Sequence, residues 1–238
     1  KTEVALFHQL LSRLPADPTP ELYLVDVSHA LLNAAYKHAS EELPDVRVLT
    51  VHGNFHELPR YTMLTQPRGH RRRLYTMLGL TLVNLRDEVR FFRDTLSCCA
   101  SGDLFLCDIL IAHASPDRPS EIRRTDPAFL SKVRPGHSAW LSGPLRRYCR
   151  GMADVEFHLE LDTRCPVPGS YGLDFIATVK MHGGLPDRRF LMGMTRRYEP
   201  KKLVETLEEV GWRAELTAPY AAGADGRPTM ALMMFRKK

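Results

Sequence analysis

An aspartate ends an apolar run in Leu22-Tyr23-Leu24-Val25-Asp26-Val27-Ser28, and a helical stretch follows at once. Leu22, Leu24, Val25 and Val27 read as a parallel strand covered on both faces. Ser28 is a good N-cap for Ala30-Leu31-Leu32-Asn33-Ala34-Ala35. The pattern places Asp26 at the carboxyl end of a central parallel strand, the place where open α/β sheets bind ligands. An acid there commonly holds the ribose hydroxyls of a nucleotide cofactor. An ordinary capping aspartate would leave the same local pattern.

Elements able to position such an acid are legible on both sides. Val4, Phe7, Leu10, Leu11 and Leu14 have helical spacing, and Pro15-Ala16-Asp17-Pro18 stops that helix. The helix after Asp26 runs to about Glu42. Val46–Val51, Arg73–Leu78 and Asp103–Leu110 read as further strands, and Asn84–Leu96 as a helix that buries Leu85, Val89, Phe92 and Leu96. Strands alternating with helices predict a parallel sheet. From His113 to Pro135 the chain is loop-like, with a short helix near Asp126–Val133, and Leu145–Arg150 is a further helical candidate. The period then becomes two at Val155, Phe157, Leu159 and Leu161, and Phe175–Met181 and Phe190–Met194 add strands, as in an antiparallel sheet packed on one face. Pro200–Val210 returns to helix, and Trp212–Thr217 and Thr229–Phe235 close the chain as two strands.

Composition narrows the function classes. The chain has 238 residues, 44% hydrophobic and 26% charged, with net charge +5, which suits an ordinary globular protein. No apolar run approaches the roughly 20 residues that span a bilayer. Five cysteines without a C-x-x-C pair suggest neither a disulfide framework nor a zinc site. No H-E-x-x-H motif occurs, so no metal is expected. Arg68, His70 and Arg71-Arg72-Arg73 form a basic cluster that reads as a solvated loop. Without a helix-turn-helix or RNA-recognition signature, a nucleic-acid partner is not expected. A cytoplasmic location fits the free cysteines and the lack of a signal-peptide pattern.

Four short segments occur in order: Val25-Asp26-Val27-Ser28, Gly53-Asn54-Phe55, Leu78-Gly79-Leu80-Thr81-Leu82-Val83-Asn84-Leu85 and Gly102-Asp103-Leu104-Phe105-Leu106-Cys107-Asp108. Together with the closing hairpin they resemble class I S-adenosylmethionine-dependent methyltransferases. Within that class they look like the histidine-specific N-alpha-methyltransferases of ergothioneine biosynthesis. That family writes them P-V-D-V-S, G-D-F, L-G-S-T-I-G-N-L and P-G-D-x-L-L-x-x-D. Val155-Glu156-Phe157-His158-Leu159 resembles its E-M-H-L segment, and Tyr198-Glu199-Pro200 to Gly211-Trp212 its closing helix and strand.

The resemblance implies an α/β fold, a Rossmann-like and mostly parallel sheet with an inserted α+β substrate lobe. The cofactor domain would take residues 1–112 and 198–238 and the lobe residues 113–197. S-adenosylmethionine would be held by Lys1, Thr2, Asp26, Val27, Ser28, Asn54, Phe55, Gly79 and Thr81. Asn84 would hold the substrate and serve catalysis, with Phe157, Gly193 and Thr195 around the substrate. Phe55 fits a core role nearly as well, and Asn84 also fits a helix N-cap.

Two departures bear on function. The family's G-x-G-x-G loop should stand just before Lys1-Thr2, and an upstream segment is expected to carry it. The family's T-E-I-S segment, which reads the imidazole of histidine, falls on Met192-Gly193-Met194-Thr195. Thr195 can replace the serine, but Gly193 cannot replace the carboxylate. The family's G-D-F acid is Asn54 here, whose amide oxygen still accepts a hydrogen bond. Arg196-Arg197 follows and reads as a surface pair, although either guanidinium can grip a carboxylate. The expected activity is N-methylation of a small amino acid or amino-acid-derived amine other than histidine, without metal or membrane. A macromolecular methyltransferase and a non-catalytic methyltransferase-like domain are the alternatives.

Overall fold

The structure, a computed structural model, describes residues 2–11, 20–62, 72–130, 143, 147, 153–181, 186–223 and 226–238. Lys1, the helix stop at Pro15–Pro18, the cluster members Arg68, His70 and Arg71, and most of the helical candidate Leu145–Arg150 lie outside the described residues.

Helix α1 (Thr2–Leu11) opens the chain. Strand β1 (Glu21–Asp26) leads into α2 (His29–Glu42), whose N-cap is Ser28, as the sequence predicts. β2 (Arg47–His52) pairs parallel with β1 in register Asp26 to His52. β3 (Leu74–Met77) and β4 (Leu104–Leu110) form a second parallel pair, Met77 facing Cys107. Helix α3 (Glu88–Asp94) lies between them in sequence. The closing strands β8 (Trp212–Ala222) and β9 (Pro228–Lys237) form a hairpin that docks β9 antiparallel on β4, giving the order β3-β4-β9-β8.

Two expectations need correction here. The sheet is mixed rather than mostly parallel, because a short connection can join β8 and β9 only as an antiparallel pair. Among the described residues β1 hydrogen-bonds to β2 alone, so it is not the central strand that was expected. Its residues after Glu21 are only half-buried, and Val27, past the strand end, is 63% exposed.

The second half holds short helices α4 (Pro119–Thr125) and α5 (Pro127–Leu130), then an antiparallel sheet of β5 (Ala153–Asp162), β6 (Tyr171–Met181) and β7 (Arg188–Arg197). All three strands were expected, and each extends beyond its predicted core. Helix α6 (Pro200–Glu209) starts on a proline, which needs no N–H partner at the first turn. It buries Leu203 and Leu207.

The main core joins α3, the mixed sheet and α6. Phe92 packs edge-on against Phe105, Trp212 and Phe235 at centroid distances of 4.9, 5.4 and 5.8 Å. Such pairs add about 0.5–1.5 kcal/mol each beyond area burial. Phe91 extends the cluster to Phe55 at 6.1 Å and to His56 at 6.0 Å, joining the segment after β2 to the sheet core.

Candidate functional site

Asp26 is the last residue of β1, and its Oδ1 accepts from Ser28 N at 2.6 Å. Ser28 Oγ in turn accepts from Leu31 N at 3.3 Å, so Ser28 caps α2 while Asp26 braces the turn. The other Asp26 oxygen has no hydrogen-bond partner among the described residues and stays open to a donor. Asp26 O accepts from Gly53 N at 3.0 Å, and His52 Nε2 lies 2.9 Å from Val27 O. These bonds tie the ends of β1 and β2 together.

Asn54 is exposed and caps the 3₁₀ segment Phe55–Tyr61, its side chain accepting from His56 N at 3.0 Å. That bond uses one lone pair of the amide oxygen and leaves the second. Phe55 is half-buried, with its ring 4.4 Å from His56. It packs against the main core, the bland alternative the sequence already allowed.

The loop after β3 has a built support that sequence reasoning missed. Gly79 and Leu80 both have positive φ, +76° and +62°. Their successive N–H groups converge on the buried Asp108 of β4, at 3.0 Å to Oδ2 and 2.7 Å to Oδ1. Two neighbouring amides in this conformation make an anion nest, filled here by the chain's own carboxylate. Thr81 Oγ1 donates to Leu78 O at 3.1 Å and tightens the turn. An apolar cleft of about 330 Å³ opens beside it, lined by Leu6, Leu78, Leu106, Asp108 and Tyr220 among others.

Asn84 ends the short 3₁₀ segment Leu82–Asn84 and is exposed. It lies outside the α-helix Glu88–Asp94 and does not cap it, which corrects the predicted continuous helix Asn84–Leu96. Leu85 turns extended, Asp87 caps α3 by accepting from Arg90 N at 2.8 Å, and a second 3₁₀ segment, Thr95–Cys98, follows α3. The break has a partner: Arg196 of β7 donates from Nε to Leu85 O at 3.1 Å and from Nη2 to Arg86 O. It takes carbonyls that a continuous helix would have used.

The expected surface pair Arg196-Arg197 is in fact buried, 2% and 8% exposed. Neighbours on a strand face opposite ways. Arg196 reaches Glu88 Oε2 at 3.6 Å, and Arg197 reaches Asp126 Oδ2 at 3.0 Å and Thr195 Oγ1 at 3.1 Å. Tyr171 donates to the same Asp126 oxygen at 2.8 Å. Burial pushes the Glu88 carboxyl up to about 7 against the pull of Arg196. The two contacts hold β7 between the Leu85–Glu88 turn and the α4–α5 junction.

The expected substrate residues therefore divide. Asn84 belongs to the turn that Arg196 braces. Thr195 turns with Arg197 toward Asp126, on the other face of β7. Gly193 pairs with Phe175 beside a bulge, and Phe157 is half-buried on β5. Thr2 begins α1. His158 is exposed and lies 3.0 Å from Glu160. Among the described residues no group of three or more potential metal ligands occurs, and no helix is long and apolar enough to cross a membrane.

Residues 4–110 match the family of histidine-specific, SAM-dependent methyltransferases. The four ordered motifs all lie in that span, so the resemblance read from them holds there, with S-adenosylmethionine as the cofactor. The residues at the strand ends suit it: an aspartate oxygen open to hydroxyls at Asp26 and a close-approach glycine at Gly79. No curated protein sequence matches the chain. Among solved structures, the chain resembles an S-adenosylmethionine-dependent methyltransferase from Clostridium acetobutylicum, at 10% identity and TM-score 0.41, covering 90% of this chain and 74% of that one. It resembles the glycopeptide N-methyltransferase MtfA complexed with S-adenosylmethionine at 12% identity and TM-score 0.42, covering 99% and 94%. The CcbJ methyltransferase from Streptomyces caelestis is 16% identical with TM-score 0.45, covering 99% and 94%.

Proposed function

We propose that this protein is an S-adenosylmethionine-dependent N-methyltransferase whose substrate is a small amino acid or amino-acid-derived amine other than histidine. The observation that carries the reading is Asp26. Inside the span that matches the family, it ends a parallel strand with one oxygen committed to Ser28 N and the other without a partner among the described residues. In this reading that oxygen accepts from the ribose hydroxyls. Asn54 and Phe55 border the adenine, and Gly79 and Thr81 let the backbone approach the methionine part. Bound there, S-adenosylmethionine supplies an electrophilic methyl group, so the protein's work is positioning. An amine attacks only when neutral. Exposed Asn84 offers an amide oxygen to orient it, and residues 113–197 form the substrate lobe.

The exclusion of histidine rests on Gly193. A site that reads a polar ring through a carboxylate discriminates strongly, and a glycine offers no such partner. The test is a panel of amino acids and small amines incubated with S-adenosylmethionine and read for methyl transfer by mass spectrometry, beside calorimetric titration of S-adenosylhomocysteine. Expected are binding of the cofactor product and turnover of an amine other than histidine. Histidine turned over faster than every other candidate would overturn the substrate assignment, and no binding of S-adenosylhomocysteine would overturn the whole reading.

A further inference from the structure

Two basic segments far apart in sequence, Arg72-Arg73 and Arg236-Lys237-Lys238, are brought to one place by the mixed sheet. β4 and β9 run antiparallel with Leu104 facing Arg236, so the end of β9 meets the start of β4 and the residues leading into β3. β8 starts at the same edge, with Arg213 facing Arg236. This is the amino end of β3 and β4, opposite the end that carries Gly79 and Asp108. A cleft of about 430 Å³ opens there, lined by Arg72, Ser101, Gly102, Arg213, Arg236, Lys237 and Lys238.

The cleft is built on paired backbone. Gly102 N donates to Lys237 O at 2.9 Å, Lys237 N to Asp103 O at 2.9 Å and Lys238 N to Gly211 O at 3.0 Å. Gly102 has φ +89°, a backbone conformation that glycine permits, and Arg72 Nε lies 3.6 Å from where its Cβ would stand, so the guanidinium lies beside this turn. Five cations face one side-chain carboxylate. Glu215 Oε1 is 2.8 Å from Arg213 and 2.8 Å from Arg236, which orients both. Asp103 is 2% exposed and spent on Arg73, so it does not neutralise the cleft. Lys237 Nζ sits 5.2 Å over the Trp212 ring, and Lys238 Nζ donates to a carbonyl of α6 at 3.1 Å. Among the described residues Arg72, Lys237 and Lys238 have no carboxylate partner.

We propose that this cleft binds a small ligand through a diphosphate or triphosphate group, at a site separate from the methyl-transfer site. Planar guanidinium forks converging from several strands suit phosphate oxygens, which they grip two at a time. The concavity has the volume of a small-molecule site rather than the length of a nucleic-acid track. The lining has no aromatic ring for base stacking, which single-stranded nucleic acid sites use.

The test is calorimetric titration of the full chain with pyrophosphate, tripolyphosphate, a nucleoside triphosphate and a single-stranded oligonucleotide, at two salt concentrations. Wild type binds tripolyphosphate more tightly than pyrophosphate, and the nucleoside triphosphate at least as tightly where a base adds contacts. The double variant Arg72→Gln, Lys238→Gln changes two solvent-facing side chains. It loses about tenfold or more in polyphosphate affinity, while its melting temperature and its S-adenosylhomocysteine affinity stay unchanged. Equal polyphosphate affinity in wild type and variant overturns the site, as does absence of binding by either polyphosphate. An oligonucleotide bound more tightly than tripolyphosphate overturns the small ligand and makes this face a nucleic-acid surface. Because S-adenosylhomocysteine is titrated separately, failure here leaves the methyltransferase reading untouched.

Discussion

Single residues carry the chemistry of both strand-end acids and of the buried pair under β7. Asp26→Ala removes the acceptor that the ribose hydroxyls would meet. S-adenosylhomocysteine affinity should fall by about 1.5–3 kcal/mol, as for lost bonds to a charged group, and calorimetry reads it directly. An unchanged affinity would return Asp26 to the role of a turn brace for Ser28. Glu88 supports a pH prediction. Its pKa is raised from 4.5 to about 7, chiefly by burial, so folding disfavours the charged form. The unfolded chain releases this proton first as pH rises. The group therefore leaves stability intact below about 4.5 and removes it progressively up to about 7, by about 3 kcal/mol in all. Glu88→Gln has no such titration, so its stability relative to wild type should climb through that window in urea unfolding at stepped pH. A constant difference from pH 4 to 8, as a bare loss of packing would give, would contradict the assignment. Asp26 was legible because an apolar run, an acid and a cap stand side by side in sequence. Glu88 and Arg196 were not, because a pair of charges separated by over a hundred positions reads as two solvated side chains until a fold buries them together.

At the scale of elements, the loop from Leu78 to Asn84 is held by what lies under it. Its motif was legible, but its support was not: Asp108 appeared only as the last letter of the fourth segment. The strand pairing of β3 and β4 turns that letter into the acceptor for Gly79 N and Leu80 N. Asp108→Ala should strand both donors and cost about 2–4 kcal/mol in urea unfolding. It should also weaken S-adenosylhomocysteine binding, since the loop then loses its positive-φ geometry. Asp108→Asn keeps one acceptor and should fall between the two. A variant as stable as wild type would show that the loop holds its shape unaided. The helix predicted from Asn84 failed for a related reason. Its burial pattern was nearly right, as Leu85, Phe92 and Leu96 are buried and Val89 is half-buried, but periodicity is silent about carbonyls. A guanidinium arriving from β7 claimed two of them and ended one turn before the next began.

Across the whole molecule, alternation of strand and helix was enough to read an α/β fold with an antiparallel second half, and all nine described strands fall on predicted segments. Which strands share a sheet was not legible, because pairing depends on edges meeting through space and on the length of connections. The described β1–β2 pair does not hydrogen-bond to β3, so its attachment to the main core runs through side chains. Phe91 is an aromatic link beside Leu58: its ring faces Phe55 and His56 on one side and Phe92 and Phe105 on the other, with centroids 5.9–6.1 Å away. Phe92 lies wholly within the mixed-sheet core. Phe92→Ala should therefore destabilise everything at once, by about 3–5 kcal/mol, the usual cost of emptying a buried ring. Phe91→Ala removes a ring of the same size but unfastens one part from another. Its hydrogen exchange should quicken first in β1, β2 and the segment after β2, while β4 and β9 keep most of their protection. Since Asp26 and Asn54 ride on the loosened part, S-adenosylhomocysteine affinity should fall further in Phe91→Ala than in Phe92→Ala at temperatures where both remain folded. If exchange instead rose equally in β1 and β4, the two strand pairs would be one cooperative unit, and the aromatic link would not be what joins the cofactor end to the core.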